Sequence, residues 1–150
     1  MSKIFGHRGF SGKYPENTML AFEKAIEAGC DGIELDVHLT KDNVLVIIHD
    51  EDIKRTANGQ GLVKDMTFEE LRRFDYSAGF KGVYGFNAIP TLKEYFDLVK
   101  DKDIITNIEL KTGIYEYPSI EERVIEMIRE YGLEDKIILS SFNHYSIKRC

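Results

Sequence analysis

Short apolar runs that are typical of buried strands alternate along this chain with segments whose apolar residues have helical spacing. The strand-like runs lie at 3–6, 32–39, 44–48, 103–110 and 137–141. Strands that alternate with capped helices indicate an α/β fold with a mostly parallel sheet. The turn of residues 40–43 is too short for a helix, so the second and third strands are predicted to form a hairpin that places Glu34 opposite His49.

Capping residues mark where the helices are expected to begin. At two of these starts a threonine is followed three residues later by a glutamate, which is the pattern of a capping box. At the other starts a single polar side chain is available as the N-cap. The predicted starts are Asn17 or Thr18, Thr67, Thr91, Ser119 and Asn143.

Length and composition are those of one globular domain. A chain of 150 residues with 43% hydrophobic residues is long enough and apolar enough for one packed core. Its formal net charge of −6 argues against nucleic acid as a partner, because phosphate binding requires excess positive charge. The sequence carries no signal for a particular oligomeric state.

Several features of the sequence favour a cytoplasmic location. The first residues lack the apolar stretch of a signal peptide, and no run reaches the roughly 18 apolar residues of a membrane span. The cysteines, Cys30 and Cys150, have neither the number nor the spacing of a disulfide framework.

Residues 51–90 interrupt the alternation of strands and helices. The first part reads as a loop and the helix predicted at Thr67 follows it, whereas residues 75–90 have no clear period and are rich in glycine and aromatic residues. We interpret the segment as an insertion that caps a site. Its aromatic residues form either a small core of the insertion or a substrate wall, and they are Tyr76, Phe80, Tyr84 and Phe86.

Three carboxylates are predicted at or near the ends of strands. Glu34 and Asp36 are two positions apart on one strand, so their side chains point to the same face, and Glu109 lies on another strand. Like charges this close repel unless a cation lies between them or one is protonated. Carboxylates without a cysteine favour a hard cation, Mg²⁺ or Ca²⁺. Taken singly, each is better explained as a solvated acid at a strand end, whereas the three together favour a cation site.

His7 and His49 are the candidates for general acid–base chemistry. Imidazole titrates near neutral pH, and each of these two rings follows a strand and precedes a charged residue. The alternative for either one alone is a structural hydrogen bond. His38 and His144 lack this setting and are predicted to have no role in the site.

Arg8 and Lys111 are the basic residues at these strand ends. Arginine binds phosphate in a bidentate manner, whereas lysine acts as a point charge. The alternative is an ion pair with Glu34 or Glu109, and the two roles are compatible with each other.

Together these residues form a series of short motifs. The series resembles the glycerophosphodiester phosphodiesterases along essentially the whole chain, and its order is more specific than any single motif. The motifs are His7-Arg8-Gly9, Pro15-Glu16-Asn17-Thr18, Glu34-Leu35-Asp36, His49-Asp50 with Arg55-Thr56, Ile89-Pro90-Thr91-Leu92, Asn107-Ile108-Glu109-Leu110-Lys111 and Ser140-Ser141-Phe142.

The resemblance implies a fold and an activity. The expected fold is a TIM (β/α)8-type barrel with a small inserted cap at 51–90, and the expected reaction hydrolyses a glycerophosphodiester to glycerol 3-phosphate and an alcohol. One divalent cation is the implied cofactor. The implied roles are catalytic for His7 and His49, metal-binding for Glu34, Asp36 and Glu109, and substrate-binding for Arg8, Asn17 and Lys111.

The chain departs from the family pattern in its length. A TIM barrel has eight strands and about 250 residues, whereas this sequence predicts five strands in one domain, 1–150. We therefore expect it to be the N-terminal part of a longer protein. The alternatives are a phosphodiesterase that acts on lysophospholipids, or a phosphodiester-binding protein without catalysis if the chain has only 150 residues.

Overall fold

A single mixed sheet with helices against it organises the chain. The computed structural model describes residues 2–80 and 82–150, so positions 1 and 81 of the predicted domain 1–150, and position 81 of the insertion 51–90, lie outside the described residues. The strands are β1 (Phe5–His7), β2 (Gly32–Leu39), β3 (Leu45–Ile47), β4 (Ile105–Leu110) and β5 (Ile137–Ser140). The α-helices are α1 (Met19–Glu27), α2 (Phe68–Leu71), α3 (Leu92–Val99), α4 (Ile120–Tyr131) and α5 (His144–Arg149).

The order of the strands is that expected for part of a barrel. β1, β2, β4 and β5 lie side by side in that order and are parallel, while β3 pairs with β2 in the antiparallel sense. The predicted α/β class with five strands is therefore confirmed. Among helices within residues 2–80 and 82–150, none is long and apolar enough to cross a lipid bilayer.

β2 separates the core from the polar side of the sheet. Its side chains alternate, as those of any strand do. One set is buried in the main apolar cluster against the helices, and this set is Ile33, Leu35, Val37 and Leu39. The other set carries the carboxylates Glu34 and Asp36, and the parallel register with β4 puts Asp36 beside Glu109. Strand alternation and register therefore gather the acidic residues on one face.

The hairpin of β2 and β3 differs from the predicted register by one residue. Val37 lies opposite Ile47, so continuing the pairing sets His49 against the residue that follows Glu34, and the predicted pairing is wrong. The cause is a turn of three residues rather than two, with Asn43 in the left-handed region at φ 63°. His49 follows the end of β3, so its ring direction is not set by the alternation of the strand.

Most predicted helix starts are confirmed. Thr18, rather than Asn17, is the N-cap of α1, and Asn143 caps α5 through its side chain. Thr67 and Thr91 form complete capping boxes.

Ser119 is the N-cap residue of α4, as predicted, but its side chain makes no capping hydrogen bond. It has φ 64°, and its hydroxyl makes no capping bond because an N-cap side chain reaches the helix amides from an extended backbone.

Several strand boundaries also shift. β1 begins at Phe5 because the amide of Ile4 donates to the side chain of Asp31, at 2.7 Å. β3 is shorter than predicted at both ends, and β5 ends one residue early at Ser140.

The segment 51–90 has its own apolar cluster. It contains two 3₁₀ helices, Ile53–Arg55 and Val63–Asp65, followed by α2. Of the four aromatics singled out in the sequence, Tyr76 is buried in this cluster, whereas Phe86 is 62% exposed. Tyr84 and Phe80 pack against each other, with ring centroids 5.7 Å apart. The prediction that all four rings form one small core of the insertion is therefore wrong, because Phe86 is exposed.

Candidate active site

Three carboxylates converge on the polar side of the sheet. Glu34, Asp36 and Glu109 each offer one oxygen atom, and these atoms lie within 4.8 Å of one another. Asp36 is almost fully buried, with 1% of its surface exposed, and its Oδ1 is buried without a hydrogen-bond partner among the described residues. An unpartnered buried carboxylate oxygen is costly, and a bound cation would remove that cost. The arrangement therefore suits a divalent cation.

The electrostatics of this acidic cluster point the same way. Burial, and after it the negative charge of Asp36, raises the pKa of Glu34 to about 7. Burial also raises the pKa of Asp36, although the hydrogen bond from Asn17 opposes that shift. Without a cation, the site thus disfavours two ionised carboxylates side by side.

Basic and amide side chains surround Asp36. The Nδ2 of Asn17 donates to Asp36 Oδ2 at 2.9 Å, and the Nε of Arg8 lies 3.5 Å from the same oxygen. On the other side, Lys111 Nζ is 3.8 Å from Asp36 Oδ1 and donates to Glu109 Oε1 at 2.9 Å. The positive charges of the site therefore flank its carboxylates, where an anionic phosphate could approach.

The ion pair predicted for Arg8, with Glu34 or Glu109, is wrong, because its side chain pairs with Glu16 instead. The guanidinium Nη1 donates to Glu16 at 3.1 Å, and Glu34 instead accepts from the backbone N–H of Arg8 through Oε2 at 3.0 Å. The alternative for Lys111 is confirmed by its contact with Glu109.

The loop after β1 holds an unusual backbone. Arg8 and Asn17 both have φ of 54°, a left-handed conformation that costs a residue other than glycine about 1–3 kcal/mol. Gly9 has φ 79°, and a Cβ there would lie 2.7 Å from the backbone carbon of Ala21. Glycine is therefore required at this turn. His7, the last residue of β1, has its Nε2 3.8 Å from Glu34 Oε2.

His49 is held at both ring nitrogens. Nδ1 lies 2.6 Å from Asp50 Oδ1, and Nε2 lies 3.3 Å from Lys111 Nζ. An ionised carboxylate can only accept and an ammonium can only donate, so Nδ1 carries the hydrogen and Nε2 is free of it. A cavity of about 340 Å³ opens beside His49, Glu109 and Lys111, with Phe142 on its rim.

All eight residues predicted for the site are thus gathered on this side of the sheet. His38, for which the sequence predicts no role, also reaches it. His38 is fully buried, its Nε2 bonds the carbonyl oxygen of His49 at 3.1 Å, and its Nδ1 bonds the Tyr117 hydroxyl at 2.8 Å. Burial lowers the pKa of His38 to about 4, so the ring is neutral and braces the backbone of His49.

Sequence reasoning also missed the ionic contacts behind His49. Glu16 and Arg55 lie within the quoted motifs, and charged residues inside a motif are a signal from which these contacts could have been predicted. His144, by contrast, is exposed on α5.

The comparisons with known proteins agree with this geometry. The family described as "Glycerophosphoryl diester phosphodiesterase family" matches residues 7–150. A glycerophosphodiester phosphodiesterase of Caldanaerobacter subterraneus is 53% identical over 97% of this chain and 60% of its own length. The chain thus spans about 60% of that curated relative.

Solved structures give the same picture. A glycerophosphodiester phosphodiesterase of Agrobacterium tumefaciens has a TM-score of 0.86 and 33% identity, over 99% of this chain and 61% of its own. A phosphodiesterase of Oleispira antarctica, solved with the product sn-glycerol-3-phosphate, has a TM-score of 0.81 and 30% identity, over 99% and 60%. The parallel strands β1, β2, β4 and β5 are therefore those of a TIM-type barrel, with β3 paired outside their order, and the chain belongs to the glycerophosphoryl diester phosphodiesterase family.

Proposed function

We propose that the protein formed by these residues hydrolyses glycerophosphodiesters to glycerol 3-phosphate and an alcohol. The observation that carries the proposal is the acidic cluster of Glu34, Asp36 and Glu109, flanked by Arg8 and Lys111. This is the combination that a phosphodiester requires, because a cation and basic side chains neutralise its negative charge. The glycerol 3-phosphate bound by the Oleispira relative supports the same substrate class.

In this proposal Glu34, Asp36 and Glu109 hold one divalent cation, Mg²⁺ or Ca²⁺. The unpartnered Oδ1 of Asp36 and the purely carboxylate donor set fit a hard ion of this kind. When bound, the cation would polarise a phosphate oxygen and acidify a glycerol hydroxyl.

The acid–base steps belong to His7 and His49. One imidazole accepts the proton of the glycerol hydroxyl as its oxygen attacks phosphorus, and the other donates a proton to the departing alcohol oxygen. The product of this step is a cyclic phosphate, which water opens by the reverse proton transfers. The position of His49 supports its part in these proton transfers. Its Nε2 carries no hydrogen and lies beside Lys111, which is a substrate-binding residue in this proposal.

Arg8, Lys111 and Asn17 bind the substrate in this scheme. The two cations attract the phosphate, and the Oδ1 of Asn17 is buried without a partner among the described residues, so it is free to accept a hydrogen bond from a substrate hydroxyl. The Nδ2 of Asn17 meanwhile orients Asp36.

The raised pKa of Glu34 sets a pH dependence for cation binding. Because a proton competes with the cation for a carboxylate whose pKa is about 7, we expect affinity to increase as pH rises towards that value and to level off above it. Calorimetry with Mg²⁺ between about pH 5 and 8 measures this, and protons should be released on binding at the lower values. An affinity that stays constant over the range would contradict the assignment of Glu34.

The segment 51–90 is proposed as a cap over the alcohol side of the site. Two contacts support this: Arg55 bonds Glu16 in the loop after β1, and the Tyr84 hydroxyl donates to the carbonyl oxygen of Lys13 in the same loop at 2.9 Å. A segment attached to that loop is placed to select the alcohol.

The partner in this proposal is a small molecule, the glycerophosphodiester substrate. A cytoplasmic setting is part of the proposal, and the free thiols of Cys30 and Cys150 support it.

Product analysis tests the activity. The purified protein is incubated with glycerophosphocholine and Mg²⁺ or Ca²⁺, and phosphorus NMR follows the products. Release of glycerol 3-phosphate supports the proposal. A cyclic phosphate as the final product from a lysophospholipid identifies the phospholipase-type alternative, and binding without turnover identifies a phosphodiester-binding protein.

A further inference from the structure

Five charged or titratable side chains form an unbroken chain of contacts from the loop after β1 to His49. Arg8 donates to Glu16 Oε1 at 3.1 Å. Arg55 donates to the same carboxylate through Nη1 and Nη2, at 2.9 and 2.8 Å. Arg55 also donates to Asp50 through Nε, at 2.6 Å, and through Nη2, at 3.2 Å. Asp50 in turn accepts from His49 Nδ1 at 2.6 Å.

Arg55 is the central member of this chain. Its guanidinium binds two carboxylates, each through two contacts, which uses the planar fork of donors that only arginine has. A lysine ammonium is a single point and could not reproduce both pairs. Arg55 ends the 3₁₀ helix Ile53–Arg55 within the segment 51–90, so one side chain of that segment restrains two residues outside it, Glu16 and Asp50.

The contacts fix the state of Asp50 and through it the ring of His49. Burial alone would raise the pKa of Asp50, but the hydrogen bonds from Arg55 and His49 hold it at about 2. Asp50 is therefore an acceptor, and it selects the tautomer of His49 in which Nδ1 carries the hydrogen. Held in this way, Nε2 is directed to Lys111 and the cavity.

We propose that Arg55, together with Glu16, is a positioning residue that sets the tautomer and orientation of His49 and holds the guanidinium of Arg8. The inference rests on the proposed function, since it concerns how a catalytic ring and a phosphate-binding side chain are pre-arranged. Within residues 2–80 and 82–150, no hydrogen bond or ion pair joins Arg55 to the acidic cluster, so it acts through its partners.

The exposure of Arg55 separates this role from a structural one. Its side chain is 45% exposed, and ion pairs on exposed side chains contribute little to the free energy of unfolding. Removing it should therefore leave the melting temperature nearly unchanged while it loosens His49. A second exposed arginine of the same segment, Arg73, pairs with Glu69 at 2.9 Å and provides a matched control away from this chain of contacts.

The test compares Arg55→Ala, Arg55→Lys and the control Arg73→Ala by ¹⁵N NMR of the His49 imidazole, at a pH of about 9 where histidine rings are neutral. In the unmodified protein and in Arg73→Ala, we expect the tautomer with the hydrogen on Nδ1. In Arg55→Ala, the ratio of the two tautomers should fall at least about fivefold, the factor that one hydrogen bond provides. Arg55→Lys should lie between them.

Kinetics supply the second readout. Arg55→Ala should lower kcat about 10- to 100-fold, which is the usual loss when a residue that supports a site residue is replaced. Arg73→Ala should keep the original kcat. An unchanged tautomer ratio in Arg55→Ala overturns the inference, and so does a lowered melting temperature with kcat preserved. The NMR result does not depend on turnover, so an unmodified protein that releases no glycerol 3-phosphate would count against the proposed function alone.

Discussion

The His49→Ala protein is expected to hydrolyse glycerophosphodiesters about 10²–10⁴ times more slowly than the unmodified protein, and the His7→Ala protein should lose a similar factor. This is the usual contribution of a general acid or base placed at the reacting atoms. The site gives each ring a distinct setting. His49 Nε2 lies beside Lys111, and His7 Nε2 is 3.8 Å from Glu34. The measurement is kcat at saturating substrate, with circular dichroism to show that each variant is folded.

The double variant distinguishes cooperation from independent effects. If the two histidines carry the two proton transfers of one reaction, removing both should cost little more than removing either one. His144→Ala is the matched control, because that histidine is exposed on α5, and it should retain full activity. A folded His7→Ala or His49→Ala protein with the original kcat would show that the ring is structural.

The second large effect concerns the carboxylates. Glu34→Gln and Asp36→Asn should each weaken Mg²⁺ or Ca²⁺ binding by more than about tenfold. A loss of about tenfold is the lower limit seen when a residue that only supports a metal ligand is changed, and these residues are proposed as ligands themselves. Each substitution removes a charged oxygen from a cluster in which the three ligand atoms lie within 4.8 Å. Most of the activity should be lost with the cation.

Calorimetry measures the affinity, and a chelator provides the complementary experiment. Activity removed by the chelator should return when Mg²⁺ or Ca²⁺ is added back. Glu130→Gln is the control, because this glutamate is exposed on α4 and the substitution changes the net charge by the same amount. Unchanged affinity in both Glu34→Gln and Asp36→Asn would exclude these residues as cation ligands.

The order of motifs and the alternation of elements were readable because they are local. A capping box needs only residues i and i+3, and both boxes, at Thr67 and Thr91, form as the sequence predicted. The common face of Glu34 and Asp36 follows from the two-residue period of a strand. Local patterns did not predict the left-handed backbone of Ser119, whose side chain makes no capping hydrogen bond.

The sequence by itself determined the α/β class, the five strands and the acidic strand, and it predicted eight residues for the candidate site. Only the tertiary structure decided how those residues meet. The parallel register that pairs Asp36 with Glu109 depends on chain segments about seventy residues apart, and the turn residue Asn43 moved the pairing of β3 by one position. The contacts of Arg55 with Glu16 and of His38 with Tyr117 likewise span distant segments, and no periodicity encodes such pairs.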